Sequence, residues 1–267
     1  MRTGIFGTIH LSKRNAYLYM GDFMKIVYLL LFMLPLSMIS GCMPLGDEPA
    51  AAVYYSPHAD DEALSMGGSM LASLEKGDQV AVVLLSKGKA SGARDLVNSR
   101  LEKEAKPVLS VEEFGEARVK EFKKSAEALG VDPENIFIYD LPDGDIQKEA
   151  VSKIMEKMNK QFPNASHHAM SYKDPHRDHA ASGMALKDLV EKGVISAGYF
   201  YLPIQEHQTI DFKDAFAVPD DLAENYRKSL DSYKIWDPDN GFYAIGYMSV
   251  DSYFHSAEAI LESKWHQ

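Results

Sequence analysis

Histidine and aspartate side chains that could bind a metal or carry protons are concentrated in two short stretches of this 267-residue chain. The first stretch, residues 57–62 (PHADDE), places an imidazole beside three carboxylates. These carboxylates repel one another at neutral pH unless a cation or a helix N-terminus neutralises them. A bound divalent metal is one interpretation. The other is a turn in which Asp60 or Asp61 caps a helix and Glu62 lies in its first turn.

The second stretch, residues 174–179 (DPHRDH), adds further imidazole and carboxylate groups. His176 and His179 are three positions apart, so both would lie on one side of a helix that begins near them. A histidine-rich loop can also simply be solvated, so this stretch alone leaves two interpretations open. Together the two stretches supply two histidines and a carboxylate, which is the ligand set of a catalytic zinc with one position left open for water.

Both stretches follow predicted β-strands, so the fold can bring them together. Residues 51–56 form an apolar run that favours a strand, and a helical pattern extends from about Leu64 to Glu75. Further strands are predicted at 79–86, 135–141, 167–172 and 197–202, and further helices at 111–129, 146–158 and 178–191. This alternation predicts an α/β fold with a Rossmann-like, mostly parallel sheet and helices on both faces. Such sheets bind ligands at the carboxyl ends of their strands.

The remaining segments have weaker patterns. Residues 93–114 are polar and show no clear periodicity, and we expect them to form part of a substrate rim. Beyond residue 202, the sequence favours a helix at 220–234, an extended segment at 241–250 and a closing helix at 252–264.

Several other features do not predict a site. The glycines of residues 67–68 and 87–92 lack the spacing of a dinucleotide-binding motif and of a P-loop, so we expect no nucleotide cofactor. We interpret residues 87–92 as a mobile loop at the edge of the site. His207, His255 and His266 have no partner nearby in the sequence and are expected to be surface or core histidines.

On these residues the chain resembles the LmbE-like (PIG-L) family of zinc-dependent N-deacetylases. Residues 57–62 are similar to the family motif Pro-His-Pro-Asp-Asp-Glu, and residues 176–179 are similar to its His-Pro-Asp-His motif. Ala59 and Arg177 stand where the family usually has proline, and Arg177 adds a positive charge beside the site. The resemblance covers most of the chain from residue 51 onward. Its other parts lie around Arg118, Glu121, residues 129–131 and residues 141–144.

The resemblance implies that His58, Asp61 and His179 bind Zn²⁺, or another divalent metal such as Fe²⁺, and that Asp60 is the general base. A metal lowers the pKa of water to about 7, so Asp60 needs only to accept a proton and pass it to the departing amine. His176, if protonated, would stabilise the oxyanion of the tetrahedral intermediate.

Four further residues are expected to support the loops of the site or to bind the substrate. Asp178 would orient His176 and keep it charged, and Glu62 would brace the loop. By resemblance, Arg118 and Asp143 would bind substrate hydroxyls or an anionic group. The alternatives are a surface arginine on a helix for Arg118 and a turn-forming aspartate before a glycine for Asp143.

The N-terminal segment has the layout of a secretory signal. A basic start at Met24-Lys25 precedes an apolar run from Ile26 to Leu36 and then a stretch of small residues. Residues 39–42 (ISGC) resemble a bacterial lipoprotein box, and Cys42 is the only cysteine of the chain. We therefore expect a signal segment at 1–41, with translation starting at Met1 or Met24, and a deacetylase domain at 42–267 anchored by lipidation of Cys42. The alternative is an uncleaved membrane anchor.

The net charge is −11 and the chain has no basic stripe, so nucleic acid is not an expected partner. The expected partner is a glycan or small-molecule substrate, and the reaction that the resemblance implies is removal of an N-acetyl group from an amino sugar. An exterior location favours a substrate of the cell envelope or an exopolysaccharide over a cytoplasmic thiol precursor. Two alternatives stay open. One is an amidase of the same fold acting on a thiol conjugate or an acylated lipid, and the other is a lipoprotein that binds glycans without catalysis. The oligomeric state is left open.

Overall fold

A seven-stranded sheet organises residues 50–267, the part of the chain that this computed structural model describes. Its strands are β1 Ala51–Ser56, β2 Gln79–Leu84, β3 Ile136–Ile138, β4 Ser166–Met170, β5 Ala197–Tyr201, β6 Asp214–Ala217 and β9 Glu262–His266. The order is β3-β2-β1-β4-β5-β9-β6, and β1 to β5 are parallel. The predicted Rossmann-like, mostly parallel α/β sheet is therefore confirmed. Residues 1–41 and Cys42 lie outside the described residues.

Alternate residues of the central strands enter two separate apolar cores. Val53 and Tyr55 of β1 pack on one side of the sheet, and Tyr54 packs on the other. β2 alternates in the same way, with Val82 beside Tyr54 and Val83 beside Val53 and Tyr55. A strand that is apolar on both faces requires cover on both faces, and helices provide it.

Eight α-helices of the described residues surround the sheet. They are α1 Asp61–Leu64, α2 Gly67–Glu75, α3 Ala93–Lys103, α4 Val111–Leu129, α5 Lys148–Gln161, α6 Arg177–Glu191, α7 Ala223–Ser232 and α8 Ile245–Ile260. Apolar side chains of α2, α4, α7 and α8 belong to the core that contains Tyr54, whereas those of α5 and α6 belong to the core that contains Val53. A small hairpin, β7 Trp236–Asp237 with β8 Phe242–Tyr243, lies outside the main sheet.

Helix α4 has the predicted limits because both of its ends are encoded locally. Ser110 and Glu113 form a reciprocal capping box at its start, and Gly130 ends it in the left-handed conformation at φ 104°. These contacts satisfy backbone groups that a helix end otherwise leaves unpaired.

Four predicted segments differ from the structure. Residues 93–103 form a helix, α3, whose Ala93, Val97 and Leu101 pack against Ile245 from far along the chain. The helix expected from 64 to 75 is interrupted after Leu64 and resumes at Gly67. The extended segment expected at 241–250 is extended only at β8, and the helix expected at 252–264 instead runs from 245 to 260 and is followed by β9.

The chain order places a crevice between β1 and β4. From β1 the chain passes outward to β2 and β3, and it then returns to place β4 on the other side of β1. The loops after β1 and β4 therefore leave the same edge of the sheet in opposite directions, which is where ligands bind in folds of this kind. Within residues 50–267, no helix combines the length and the apolar character needed to cross a membrane.

Candidate metal and active site

The loop after β1 is held in an unusual conformation by buried polar contacts. Asp60 has φ 126° and ψ −28°, a conformation that residues other than glycine rarely adopt. The backbone N–H of Asp60 donates to Oε2 of Glu62 at 3.1 Å, and Arg118 donates to the carbonyl oxygen of Ala59 at 3.0 Å. Strained backbone of this kind persists only where the surroundings fix it, and it is concentrated at functional sites.

Glu62 braces this loop from the core, in agreement with its expected structural role. It is fully buried and accepts hydrogen bonds from Ser125 at 2.7 Å and from Tyr233 at 2.5 Å. Burial raises the pKa of Glu62 to about 7, and the hydrogen bonds from Tyr233 and Ser125 limit the rise. The β1–α1 loop is thus tied to α4 and to the chain that follows α7.

The loop after β4 is organised by Asp174. One oxygen of its carboxylate accepts the backbone N–H of His176, and the other lies 2.8 Å from Nδ1 of His179. Helix α6 packs tightly against this loop at Gly183, where a Cβ atom would lie 2.4 Å from the carbonyl oxygen of Met170 and 2.4 Å from the backbone nitrogen of Tyr172. Glycine at this position therefore permits the close approach of α6, which carries His179.

The two loops bring His58, Asp61 and His179 together. Oδ2 of Asp61 lies 3.4 Å from Nδ1 of His58 and 3.3 Å from Nε2 of His179. Ligands bound to one tetrahedral zinc at 2.0–2.2 Å are separated from each other by about 3.4 Å. All three residues are buried, and Asp61 lies at ligand spacing from both imidazoles, so these three side chains are candidates to hold a single divalent metal.

The outward-facing ring nitrogens of both histidines contact carboxylates. Nε2 of His58 lies 3.1 Å from Oδ2 of Asp178, and Nδ1 of His179 contacts Asp174. Carboxylates in this position orient a metal-binding imidazole and fix its tautomer. This second layer of carboxylates supports the same ligand set.

The contact of Asp178 corrects its expected role. Its carboxylate hydrogen bonds with His58 and accepts the backbone N–H groups of Gly144 and Ile146, and no hydrogen bond to His176 occurs within residues 50–267. Asp178 lies at the first turn of α6, whose direction aims the carboxylate at the β1 loop. It therefore positions His58, a pairing that local spacing could not indicate.

His176 is nearer the candidate metal position than expected. Ring nitrogens of His58, His176 and His179 all lie within 4.8 Å of one another, so these three histidines form an alternative ligand group. His176 is the exposed member, and its ring centroid lies 4.5 Å from that of His179. The sequence predicted His176 near the site but not as a possible ligand.

The model of the PIG-L family, described as GlcNAc-PI de-N-acetylase, matches residues 53–190. The chain belongs to this family. A search of the curated proteins finds no match. Membership in a de-N-acetylase family implies a hydrolytic enzyme, and the match contains both stretches that form the site.

Solved structures with the same fold have low sequence identity to this PIG-L family chain. An N,N′-diacetylchitobiose deacetylase from Pyrococcus horikoshii is 17% identical over 98% of this chain and 94% of its own, with a TM-score of 0.58. A triple mutant of a deacetylase involved in the teicoplanin biosynthetic pathway is 14% identical over 81% and 97%, with a TM-score of 0.61. The 4-carboxy-2-hydroxymuconate hydratase GalB from Pseudomonas putida is 16% identical over 81% and 95%, with a TM-score of 0.57.

Charges at the site of this PIG-L family member separate the two adjacent aspartates. Burial and the neighbouring Asp61 carboxylate raise the pKa of Asp60 to about 8. Burial also opposes ionisation of Asp61, but His179 and His58 outweigh it and hold the pKa of Asp61 well below its ordinary value. Asp61 is therefore suited to permanent charge and ligation, and Asp60 to proton exchange near neutral pH.

The pKa values of the three histidines at the site also shift in different directions. Burial lowers the pKa of His179, but Asp61 and Asp174 outweigh it and raise that pKa to about 9. For His58, Asp143, Asp178 and Asp61 likewise overcome burial and raise its pKa well above the ordinary value. Burial and the neighbouring His179 and His58 lower the pKa of His176.

A cleft of about 440 Å³ opens over these residues and includes both predicted substrate-binding residues. Arg118 is buried and donates to the carbonyl oxygens of Ala59 and Gly88, and its Nε has no partner within the described residues. Asp143 accepts the N–H of Ala90 and lies 3.3 Å from Nε2 of His58. Both side chains also support the loops of the site. Their contact with substrate stays a prediction.

Part of the cleft comes from segments that the sequence did not connect with the site. Gln205, Ser249, Val250 and Tyr253 line it, although all four follow the part of the chain that the family model matches. Helix α8 is interrupted at Val250, where φ is −147° and ψ is 53°. The packing of α8 beside the site depends on residues far away in the sequence, so no local signal could identify these lining residues beforehand.

The three histidines that were not expected to belong to a site lie outside this cleft. His207 and His266 are buried and His255 is exposed, and none of them lines it. Ala90 and Ser91 of the 87–92 loop do line it, as expected for a loop at the edge of the site.

Proposed function

We propose that this protein is a metal-dependent N-deacetylase that removes an N-acetyl group from an amino sugar of the N-acetylglucosamine type. The observation that carries the proposal is the convergence of His58, Asp61 and His179 around one position, with the strained Asp60 beside them. A non-catalytic glycan-binding protein would not require a proton-accepting carboxylate next to three metal ligands.

Zn²⁺ is the proposed metal, since two imidazoles and a carboxylate form a known catalytic ligand set, and Fe²⁺ is the alternative. Bound there, the metal would supply a Lewis acid and increase the acidity of water. Asp60 would accept the proton of the attacking water and deliver it to the nitrogen that leaves as an amine. His176 would donate a hydrogen bond to the amide oxygen as negative charge develops on it.

An amino-sugar substrate is supported by the functions of similar proteins. The matching family is described by a GlcNAc-PI substrate, and one structural neighbour is a deacetylase of N,N′-diacetylchitobiose. The signal-like segment and Cys42 favour an extracytoplasmic, membrane-anchored lipoprotein acting on the cell envelope or an exopolysaccharide. A glycan substrate reached outside the cell would fit that location.

The hydratase GalB shares the fold, so the fold alone does not decide between amide hydrolysis and addition of water to a double bond. The decisive test is release of free amine and acetate from N-acetylglucosamine, chitooligosaccharides and peptidoglycan fragments by the purified, zinc-loaded protein. Asp60→Asn is the matched inactive control. Failure to release amine from any N-acetyl sugar, with the metal in place, would remove the proposal.

A further inference from the structure

Two hydrogen bonds link the backbone of Asp60 to a tyrosine far along the chain. The backbone N–H of Asp60 donates to Oε2 of Glu62 at 3.1 Å. The other oxygen of the same carboxylate, Oε1, accepts the hydroxyl of Tyr233 at 2.5 Å. Because both oxygens belong to one planar group, a displacement of Oε1 also displaces Oε2. The position of the Tyr233 hydroxyl therefore affects the peptide group of Asp60.

This link ends at a strained backbone position. The φ of Asp60, 126°, lies in a region that residues other than glycine rarely adopt, and such a conformation persists only where neighbouring groups fix it. The bond to Glu62 fixes the N–H of Asp60, while Arg118 binds the carbonyl oxygen of Ala59 just before it. Asp60 lines the cleft, and its carboxylate moves with its backbone. Contacts that fix this backbone therefore also fix the proposed proton acceptor.

Tyr233 is itself held in place by α8. It is fully buried, and it packs so closely on Gly246 that a Cβ atom there would lie 2.6 Å from its ring. The ring centroid of Phe254 lies 5.7 Å away, and the backbone N–H of Tyr247 donates to the carbonyl oxygen of Tyr233 at 3.3 Å. Burial raises the pKa of Tyr233 well above its ordinary value, so the hydroxyl keeps its proton. A confined, protonated hydroxyl is thus directed at Glu62.

We propose that Tyr233 is a positioning residue for catalysis, which acts through Glu62 to hold Asp60 where it can accept a proton. Tyr233 does not line the cleft, and it lies beyond residues 53–190, which the family model matches. Ser125 also donates to Oε1 of Glu62, so loss of the Tyr233 hydroxyl would leave that carboxylate with another partner in the core. The inference rests on the proposed function for the step that Asp60 performs, whereas the link between Tyr233 and the loop does not depend on it.

The test is Tyr233→Phe, which removes the hydroxyl and keeps the ring. We expect kcat for amine release from N-acetylglucosamine to fall by about 10- to 100-fold, as for a displaced reacting group, with KM and zinc content unchanged. The matched control is Tyr54→Phe, because Tyr54 is also fully buried in the same core but hydrogen bonds with Ser69 and Ser73, away from the cleft. This control should keep kcat. Gly246→Ala, which pushes on the Tyr233 ring from outside the cleft, should lower kcat as Tyr233→Phe does.

Hydrogen–deuterium exchange of residues 57–62 in the zinc-loaded protein separates this inference from the proposed function. Tyr233→Phe should speed exchange there, and Tyr54→Phe should not. Faster exchange in Tyr233→Phe alone, with no amine release by the wild type, would support the link and reject the deacetylase. An active wild type with unchanged kcat in Tyr233→Phe would reject the positioning role alone. Equal losses of kcat in both tyrosine variants would show a general loss of stability and would also reject it. Unchanged exchange without any turnover would reject both.

Discussion

Nε2 of His58 lies 3.1 Å from Oδ2 of Asp178, a residue 120 positions later in the chain. Burial opposes ionisation of Asp178, but His58 and two backbone N–H donors outweigh it and lower its pKa to about 2. The carboxylate is therefore charged under all working conditions and holds the imidazole in one orientation. Nδ1 of His58 is thereby directed towards Asp61 and the candidate metal position.

Asp178→Asn should accordingly weaken metal binding rather than abolish folding. Loss of the carboxylate behind a metal-binding histidine reduces metal affinity by about 10- to 100-fold. The measurement is a competition titration of zinc against a chelator. Asp188→Asn is the control, because Asp188 lies on the same helix but forms an ion pair with Lys148 away from the cleft. Equal zinc affinities of the two variants would contradict the positioning role.

Substitution of the two adjacent aspartates should give different results. Asp61→Asn should lose both metal and activity, since its carboxylate lies between two imidazoles. Asp60→Asn should keep most of the zinc but lose about 10²- to 10⁴-fold in rate, because the general base is gone. Metal content is measured by elemental analysis beside the rate of amine release. An empty Asp60→Asn and a loaded, active Asp61→Asn would reverse the assignment.

His176→Ala tests the alternative group of three histidines. If His176 stabilises the oxyanion, the variant should retain zinc and lose about 10²- to 10³-fold in kcat. If His176 is instead the third ligand, the variant should lose zinc to the same extent as His179→Ala. Elemental analysis of the two variants, purified separately in parallel, distinguishes these roles.

Zinc binding should become weaker as the pH falls. Without metal, His179 carries a proton at pH 7 because its pKa is about 9, and the raised pKa of His58 has the same effect. A metal must displace these protons, so binding should release about one to two of them and affinity should rise with pH up to about 9. Calorimetry at pH 7 in two buffers of different ionisation enthalpy counts the protons. Constant affinity between pH 6 and 8 would be inconsistent with this charge arrangement.

Gly183→Ala should disturb both stability and the site. The added methyl group would meet the backbone of Met170 and Tyr172, so α6 must move away from the loop after β4. Overpacking of this kind costs about 1–3 kcal/mol of unfolding free energy, and displacement of α6 should also lower zinc affinity. Met184→Ala, at an exposed neighbouring position, should change neither. Chemical denaturation and zinc titration of the two variants provide the comparison.

The anchor stays a prediction from the sequence. Cys42→Ala should release the protein from membranes or leave an unprocessed precursor, because no other cysteine can accept a lipid. Cell fractionation and the mass of the product provide the readout, with Ser37→Ala as a control. Normal processing and membrane retention of Cys42→Ala would exclude lipidation at this position.

Local signals were sufficient for part of the fold. The limits of α4 follow from its capping box and Gly130, and β1 follows from six residues that favour a strand. The start of α8 could not be predicted from local signals, because residues 241–250 are rich in aromatic and β-branched side chains and were therefore expected to be extended. That helix begins where it does because Glu121, which lies more than a hundred residues earlier, accepts its first N–H groups.

The site, like the fold, could be predicted only in part from the sequence. Residue types and strand ends were enough to place His58, Asp61 and His179 at one edge of the sheet. The pairing of Asp178 with His58 depends on the direction of α6, and the position of Tyr253 in the lining of the cleft depends on how α8 packs. Both are consequences of packing between distant segments, on which a local pattern carries no information.

The position of β9 limits the order in which the strands can join the sheet during folding. β9 follows every other strand in the sequence, yet it pairs with β5 on one side and β6 on the other. During synthesis the five parallel strands and their helices can form while β6 still lacks a neighbour in the sheet. The loops after β1 and β4, which carry the candidate metal site, can therefore fold before β9 completes the other end of the sheet. A chain stalled before residue 262 would expose β6 as an unpaired segment open to aggregation.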